Sequence, residues 1–245
     1  IIINDMNTQA KYYRVLNESE EVNVTYNSVD TPTSRQQAVQ SYYPQIEAIC
    51  ILSLQCDIKL ESALRIATQY GQVLGEVQDA VRNGETTIPL ELFLVFNESK
   101  ALIPLQLVVD FIVNYNQIYQ DTGLYLDDER GDGQYIWEGA WEFVRRKIFP
   151  NKSSRLESIF AFDNIENAKN FVEEYRECNA VIAQVKTDNS VIERYDMQWI
   201  TEVPVNSTMK EAAEYAVVYW EGKQTSTPLF EILIKGQYKL IETND

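Results

Sequence analysis

The stretch PLFEILIKGQYKL (residues 228–240) predicts two short β-strands separated by a turn at Gly236. Glu231 stands at the beginning of the apolar run in the first of these strands. One explanation is that a charge at the edge of a sheet discourages association with other sheets. The other is that the strand, backed here by Ile232 and Leu233, holds a carboxylate rigidly for use in a reaction.

The composition limits the classes of function that the chain can have. It has 245 residues, 45% of them apolar, which suits one large domain or two small ones. With 21 Lys and Arg against 37 Asp and Glu, the formal net charge is −16, and an acidic surface disfavours diffuse electrostatic binding of nucleic acid. The sequence contains no His. His-based triads and His zinc sites are therefore excluded, and catalysis must use carboxylates, hydroxyl groups, Lys, Arg or Cys.

The cysteines and the apolar segments indicate in which cellular compartment the protein resides. Cys50, Cys56 and Cys178 form no C-x-x-C pair, which is typical of buried thiols in a reducing environment. The most apolar stretch, residues 88–113, is interrupted by charged residues and predicts no membrane span. Because no signal peptide is evident either, we expect a cytoplasmic protein without a membrane partner.

Periodicity separates a first strand from a long helical part. Residues 10–16, rich in Tyr, predict a strand. From residue 34 apolar residues recur at helical spacing, and residues 34–55, 59–83 and 104–120 predict helices. Since the first strand has no partner nearby, we expect it to pair with strands that follow the helical part.

The remaining sequence mixes helices and strands. Helices are predicted at residues 135–149, 164–175 and 207–222, and extended segments at residues 155–163, 178–187 and 191–200. Asn164 is a suitable N-cap for the second of these helices. The third has a capping box formed by Thr208 and Glu211, and Gly222 stands at its end.

An acidic segment, LDDERGDGQ (residues 126–134), precedes this mixed part. Its carboxylates suggest a calcium loop, but the spacing lacks the alternating ligands and the terminal Glu of an EF-hand. We therefore expect a solvated loop and no metal site.

Three motifs, in the same order, resemble the ADP-ribosyltransferase fold. YYRV (Tyr12–Val15) takes the place of the first core strand, where members of the fold carry a His or an Arg that holds NAD. SIFAFDNIENAKNF (residues 158–171) resembles the strand and helix beside the nicotinamide pocket, and FEILIKG (residues 230–236) resembles the strand that carries the catalytic Glu.

Two further stretches resemble a narrower group. WEFVRRKIFPNKSSRLESIFAF (residues 141–162) and YWEG (residues 219–222) are similar to bacterial ADP-ribosyltransferases once classified only as a domain of unknown function. Related members of that group include toxins of antiphage toxin–antitoxin–chaperone modules, which modify messenger RNA. The resemblance covers about half of the chain.

The resemblance implies an α+β protein with an ADP-ribosyltransferase-like split β-sheet core and a large helical insertion. Residues 1–33 and 131–245 would form the core, and residues 34–130 the helical insertion or cap. NAD would be a substrate, and no metal would be required.

The resemblance also implies the site residues. Glu231 would be the catalytic carboxylate, because cleavage of the bond between nicotinamide and ribose develops a ribosyl cation that a nearby carboxylate stabilises. The residues implied to bind NAD are Tyr13, Arg14, Arg155, Ser158, Phe160 and Phe162.

Each of these binding residues also has a structural explanation. The two arginines would meet phosphate oxygens of NAD, or form surface ion pairs in a very acidic protein. Ser158 would hydrogen-bond the ribose or be an ordinary strand residue, and Tyr13 would line the pocket. One of the two phenylalanines would stack on the nicotinamide, whereas core packing explains at least one of them.

The chain departs from the family pattern at two places. The His that one group carries on the first strand is absent, so Tyr13 or Arg14 must replace it. Leu229 stands two residues before Glu231, where the family has a Glu or Gln that helps to select the acceptor. The resemblance therefore implies no particular acceptor residue.

Three functions follow from these motifs. The first is an NAD-dependent ADP-ribosyltransferase, acting as a toxin or antiphage defence effector on RNA or a protein and held by an antitoxin or chaperone; the resemblance favours RNA. The basic cluster VRRK (residues 144–147) would contact RNA or NAD phosphates, or be a solvated helix face. The alternatives are a non-enzymatic interaction module on the same fold and an NAD glycohydrolase without a macromolecular acceptor.

Overall fold

The computed structural model of the protein describes residues 10–64, 76–77, 79–80, 82–85, 93–96, 101–105, 108–109, 120, 134–175 and 180–243. The strands are β1 (Tyr12–Val15), β2 (Thr25–Asn27), β3 (Phe93–Phe96), β4 (Ala101–Pro104), β5 (Ile159–Ala161), β6 (Ile182–Thr187), β7 (Val191–Asp196), β8 (Phe230–Lys235) and β9 (Gln237–Glu242). The helices are α1 (Ser34–Cys56), α2 (Gln134–Ile148), α3 (Ile165–Tyr175), α4 (Gln198–Thr201) and α5 (Met209–Trp220), with a short 3-10 helix at Arg155–Glu157.

Antiparallel sheets accompanied by helices make this an α+β protein, as the sequence predicts. The first compact unit comprises residues 1–33, 153–198 and 222–245. It contains a four-stranded sheet in the order β1-β6-β9-β2 and a three-stranded sheet in the order β5-β8-β7. Neighbouring strands in both sheets are antiparallel.

β1 pairs with strands of the later sequence, which confirms the expectation for the first strand. Its register with β6 places Tyr12 opposite Val185 and Val15 opposite Ile182. Tyr13 also exchanges two backbone hydrogen bonds, of 2.9 and 2.7 Å, with Phe162 immediately after β5. β1 therefore connects the two sheets.

The chain changes sheet at Gly236. The expected turn is present, but β8 belongs to the three-stranded sheet and β9 to the four-stranded sheet. The φ angle of Gly236 is 122°, a conformation that is strained for residues with a side chain. A Cβ atom at this position would lie 3.2 Å from Ser190 Oγ. The turn is thus a corner between two sheets.

The main core of this unit lies between the two sheets. Alternate residues of four strands are buried there: Ile159, Ala161, Ala183, Val185, Ile232, Ile234, Tyr238 and Leu240. Because side chains alternate along a strand, Glu231 and Leu233 face the other side of the three-stranded sheet. We call this side the outer face.

A second core cluster forms where α3 meets β1. The helix begins after Asn164, whose Oδ1 accepts a hydrogen bond from the backbone N–H of Asn167 at 2.8 Å, so the predicted N-cap is confirmed. The buried members of the cluster are Tyr13, Val15, Phe162 and Ala168. This packing covers the face of β1 that points away from the main core.

The second compact unit comprises residues 34–152 and 199–221. In it α1, α2 and α5 pack against one another. Gly139 of α2 lies so close to α1 that a Cβ atom would overlap the side chain of Ile46. Trp220 Nε1 donates to the carbonyl oxygen of Trp141 at 3.1 Å. Both predicted ends of α5, the capping box and the Gly with positive φ, are observed.

The two compact units differ from the division expected from the sequence. Both divisions separate the chain at residue 33, but α2 and residues 199–221 belong to the same compact unit as α1. The reason is that an amphipathic helix belongs to whichever unit covers its apolar face, and periodicity alone does not identify that partner. In addition, the segment 34–130 was expected to be helical, yet it contains the antiparallel pair β3 and β4.

Some of the predicted elements lie partly outside the residues that the structure describes. Parts of the helices expected at residues 59–83 and 104–120, and nearly all of the acidic loop at residues 126–134, lie outside the described residues. Within the described part of the chain, no helix is long and apolar enough to cross a membrane. The same residues include no group of three acidic or Cys side chains placed to hold a metal ion.

Candidate active site

Glu231 lies near the start of β8, the central strand of the three-stranded sheet, and is only 4% exposed. Its cross-strand neighbour on β7 is Tyr195. Because β8 has a partner on each side, the explanation of Glu231 as an edge-strand charge is wrong. A buried carboxylate must be paired or hydrogen-bonded, and Glu231 finds its partners on the outer face.

Arg155 is the first of these partners. Its Nη1 atom donates to Oε1 of Glu231, and both side chains are buried. The guanidinium carbon also lies 4.8 Å from the centre of the Phe160 ring, within cation–π range. Phe160 shares the outer face with Glu231, since it stands opposite Leu233 in the sheet. The ion pair and the ring together fix the position of the guanidinium.

The short helix Arg155–Glu157 orients Arg155 towards β8. Ser154 caps this helix, since its Oγ accepts a hydrogen bond from the backbone N–H of Leu156 at 3.1 Å. Ser158 Oγ donates to the carbonyl oxygen of Ser154 at 2.7 Å and closes the turn. β5 follows directly, and its pairing with β8 brings the turn close to Glu231.

β7 adds a second carboxylate to the outer face. Oε1 of Glu193 accepts a hydrogen bond from the Tyr195 hydroxyl at 3.1 Å, and Oε2 accepts one from the backbone N–H of Ser153 at 2.7 Å. Glu193 is half-buried, whereas Tyr195 is buried. Burial, and then the negative charges of Glu193 and Glu231, raise the pKa of Tyr195 above its ordinary value. Tyr195 is therefore a neutral hydroxyl beside two carboxylates.

Polar groups hold both ends of β8. Before its start, the buried Asp196 accepts four hydrogen bonds, from the backbone N–H groups of Gln198, Thr225 and Leu229 and from the Thr225 hydroxyl. At its other end, Lys235 pairs with Glu157 of the short helix. These contacts restrict the loop that leads into Glu231 and the turn that carries Arg155.

Arg14 lies in a separate buried network. Its Nε atom donates to both oxygens of Glu20, at 2.9 and 3.0 Å, and its Nη1 donates to the carbonyl oxygen of Phe160 at 2.9 Å. The Tyr238 hydroxyl donates to Glu20 at 2.9 Å. The suggestion of a surface ion pair is wrong for Arg14 and for Arg155, because both pairs are buried. Contact between Arg14 and the NAD pyrophosphate stays a prediction.

The structure places the remaining predicted residues in two regions. Ser158 and Phe160 lie beside Arg155, at the turn and on the outer face. Tyr13 and Phe162 lie in the core cluster under α3, and the Phe162 ring centre is 5.4 Å from that of Phe171. Phe162 therefore packs in the core, as expected for at least one of the two phenylalanines. Their roles in binding NAD stay predictions.

Sequence patterns did not indicate Glu193, Tyr195 or Asp196, which all lie on β7. A usable signal exists, because alternation in this strand puts Glu193 and Tyr195 on one face. What the pattern lacks is the pairing of β7 with β8, which joins distant parts of the chain. Without that pairing, nothing connects these side chains with Glu231.

The basic cluster at residues 144–147 forms ion pairs within the second compact unit. Arg145 and Arg146 each approach the buried Glu142 at 2.8 Å, and Lys147 approaches Glu47 at 2.8 Å. Arg146 and Lys147 remain exposed. These contacts support the explanation of the cluster as a solvated helix face.

The fold and the site define an α+β protein that carries a buried Glu–Arg pair and a second carboxylate on the outer face of a small antiparallel sheet. Residues 103–245 match the family described as Protein of unknown function (DUF2441), and the chain belongs to this family. The matched residues include Arg155, Glu193 and Glu231 but not β1. No curated protein matches the chain.

Proposed function

We propose that this protein is an NAD-dependent ADP-ribosyltransferase in which Glu231 is the catalytic carboxylate. The observation that carries the proposal is that three separate motifs resembling ADP-ribosyltransferases lie next to one another. β1 meets the second motif through Tyr13 and Phe162. Arg155, which precedes the second motif, pairs with Glu231 of the third. A core split into two sheets is also what the resemblance implies.

Glu231 is suited to stabilise a ribosyl cation. When the bond between C1′ and nicotinamide breaks, its electron pair goes to the nicotinamide nitrogen and positive charge develops on the ribose. A carboxylate held by a central strand and by Arg155 needs no reorganisation when that charge appears, and such pre-organised groups contribute most to catalysis. Phe160 offers an aromatic surface on the same face for the nicotinamide ring.

The resemblance further supports a role as a cytoplasmic toxin or antiphage effector that is controlled by an antitoxin or chaperone. RNA is the favoured acceptor and a protein the other, because the similar toxins modify messenger RNA. With a net charge of −16, the protein must recognise RNA locally, since diffuse attraction to phosphates is disfavoured. The same charge offers an acidic surface to a basic partner.

Incubation with labelled NAD and a bacterial lysate tests the proposal. Wild-type protein is expected to release nicotinamide and to transfer label to one macromolecular fraction, separated as RNA, DNA or protein. Glu231→Gln keeps the shape of the side chain but removes its charge, so transfer should fall by about 100-fold or more.

Glu142→Gln is the matched control for this experiment. Like Glu231, Glu142 is buried and paired with an arginine, but it lies on α2 and contacts none of the residues predicted to bind NAD. The proposal fails if Glu231→Gln cleaves NAD as fast as the wild type. It also fails if Glu142→Gln loses as much NAD cleavage as Glu231→Gln at equal stability.

One observation favours a second candidate, a non-enzymatic interaction module. Glu231 and Arg14 both have an oppositely charged partner inside the protein, so neither charge requires a ligand to be stable. Under this candidate, millimolar NAD produces no heat in a calorimetric titration and no change in the unfolding midpoint. The third function, an NAD glycohydrolase, is distinguished by nicotinamide release without any labelled macromolecule.

A further inference from the structure

We propose that Glu193 is a second catalytic carboxylate, the base that takes the proton from a hydroxyl acceptor. The inference rests on the proposed role of Glu231. It assigns the acceptor half of the reaction to a residue on β7, and it names the acceptor chemistry as a neutral O–H group, either water or the 2′-hydroxyl of RNA.

Glu193 and Glu231 lie diagonally across neighbouring strands. The register of β7 with β8 places Glu231 opposite Tyr195 and Glu193 opposite Leu233, so both carboxylates are on the outer face. The backbone positions of residues in this relation are roughly 7–8 Å apart. Two carboxylates on one face can therefore flank a single substrate, as the acid and base of inverting glycosidases do.

One short segment of the chain holds both carboxylates. The backbone N–H of Ser153 donates to Glu193 at 2.7 Å, and Arg155, two residues later, donates to Glu231. These contacts are independent of the strand register and lead to the same conclusion. Glu193 and Glu231 border a single site.

The two carboxylates differ in ways that suit different tasks. Glu231 is 4% exposed, lies on the central strand and is paired with Arg155. Glu193 is half-buried and lies on β7, at the edge of the three-stranded sheet as described. Carboxylates in unlike environments commonly divide the work of a reaction. An acceptor arriving from the edge of the sheet meets Glu193 first.

In the proposed reaction the acceptor oxygen replaces nicotinamide at C1′ and loses one proton. The C1′–nicotinamide bond breaks, and its electron pair leaves with neutral nicotinamide. A lone pair of the acceptor oxygen forms the new bond to C1′, and the acceptor proton passes to a carboxylate oxygen of Glu193, which later releases it to water. Glu231 stabilises the cation and takes no proton.

Substitution of Glu193 by the isosteric Gln, assayed with and without azide, tests this role. Azide attacks C1′ without losing a proton, so it needs no base. Glu193→Gln is expected to slow both NAD hydrolysis and transfer to purified bacterial RNA by about 100-fold or more. In azide its nicotinamide release should return to the wild-type rate, with ADP-ribosyl azide as the product. Glu231→Gln should stay slow in azide.

A control variant separates the role of Glu193 from a general loss of negative charge. Glu242→Gln removes an exposed carboxylate on β9 and should change nothing. Wild-type rates in Glu193→Gln, or a slow variant that azide does not restore, would overturn the role of Glu193 alone. If wild-type protein releases no nicotinamide with water, RNA, lysate or azide, the proposed function fails as well.

Discussion

Glu231 and Arg155 are both buried, and each compensates the charge of the other. Removing one partner from such a pair leaves an uncompensated charge in the interior, which is far more destabilising than replacing both by apolar residues. The pair therefore has a structural role whether or not the site binds NAD. Its stability effect and its effect on activity have to be measured separately.

Arg155→Met isolates the structural role. The substitution leaves Glu231 buried without its cation, so the free energy of unfolding should fall by about 3–5 kcal/mol. Adding Glu231→Leu should restore most of this loss, because the pair is then replaced by apolar side chains. Urea denaturation of the wild type and both variants measures these differences. A single variant as stable as the wild type would mean that Arg155 does not balance a buried charge.

β8 and β9 are adjacent in sequence, yet they belong to different sheets. Gly236 makes this possible, since its positive φ is open to a residue without a side chain. Its backbone N–H donates to Ser28 Oγ at 3.0 Å, and Ser28 Oγ donates to the carbonyl oxygen of Glu157 at 2.6 Å. The corner is thus tied to the short helix that carries Arg155.

Gly236→Ala should destabilise the protein by roughly 1–3 kcal/mol, because a side chain strains the backbone and meets Ser190. Gly222→Ala is the comparison. Gly222 also has a positive φ, of 76°, but a Cβ atom there meets no atom within 4 Å. The midpoint of thermal unfolding should be lower for Gly236→Ala than for Gly222→Ala. Equal midpoints would show that crowding at the corner contributes nothing.

Buried tyrosine hydroxyls occur in both compact units, and they make the stability of the whole molecule depend on pH. Burial raises the pKa of Tyr43, Tyr195 and Tyr238 above the ordinary value. In the unfolded chain these groups lose their protons above a pH of about 10, while the folded chain keeps them. The free energy of unfolding is therefore independent of these three groups below that pH and decreases as the pH rises above it.

Alkaline unfolding in urea measures this dependence. The free energy of unfolding should fall as the pH rises above about 10, and tyrosinate absorbance from these residues should appear only on unfolding. Tyr43→Phe should weaken the fall. It should also stabilise the protein at neutral pH by about 1 kcal/mol, because the Tyr43 hydroxyl has no hydrogen-bond partner among the described residues. Free titration of all tyrosines before unfolding would contradict this.

Local sequence patterns predicted the helices and strands better than they predicted which of these elements pack together. The N-cap Asn164 and the capping box of α5 were predictable, because a cap joins residues a single turn apart. The position of α2 was not, since its apolar face suits any apolar surface of the right shape. The antiparallel pair of β3 and β4 was missed because these strands lie almost entirely between predicted helices, inside a segment expected to be a helical insertion.

The sequence by itself determined the periodic elements, the need of the first strand for a distant partner, the exclusion of His chemistry and the position of Glu231 in an apolar strand. Only the tertiary structure decided that β8 is central, that Arg155 compensates Glu231 and that Glu193 shares its face. The physical reason is the distance along the chain between the residues that interact. Helix periods, caps and turns depend on neighbours a few residues away, whereas strand pairing and buried charge pairs join residues that are far apart in the chain.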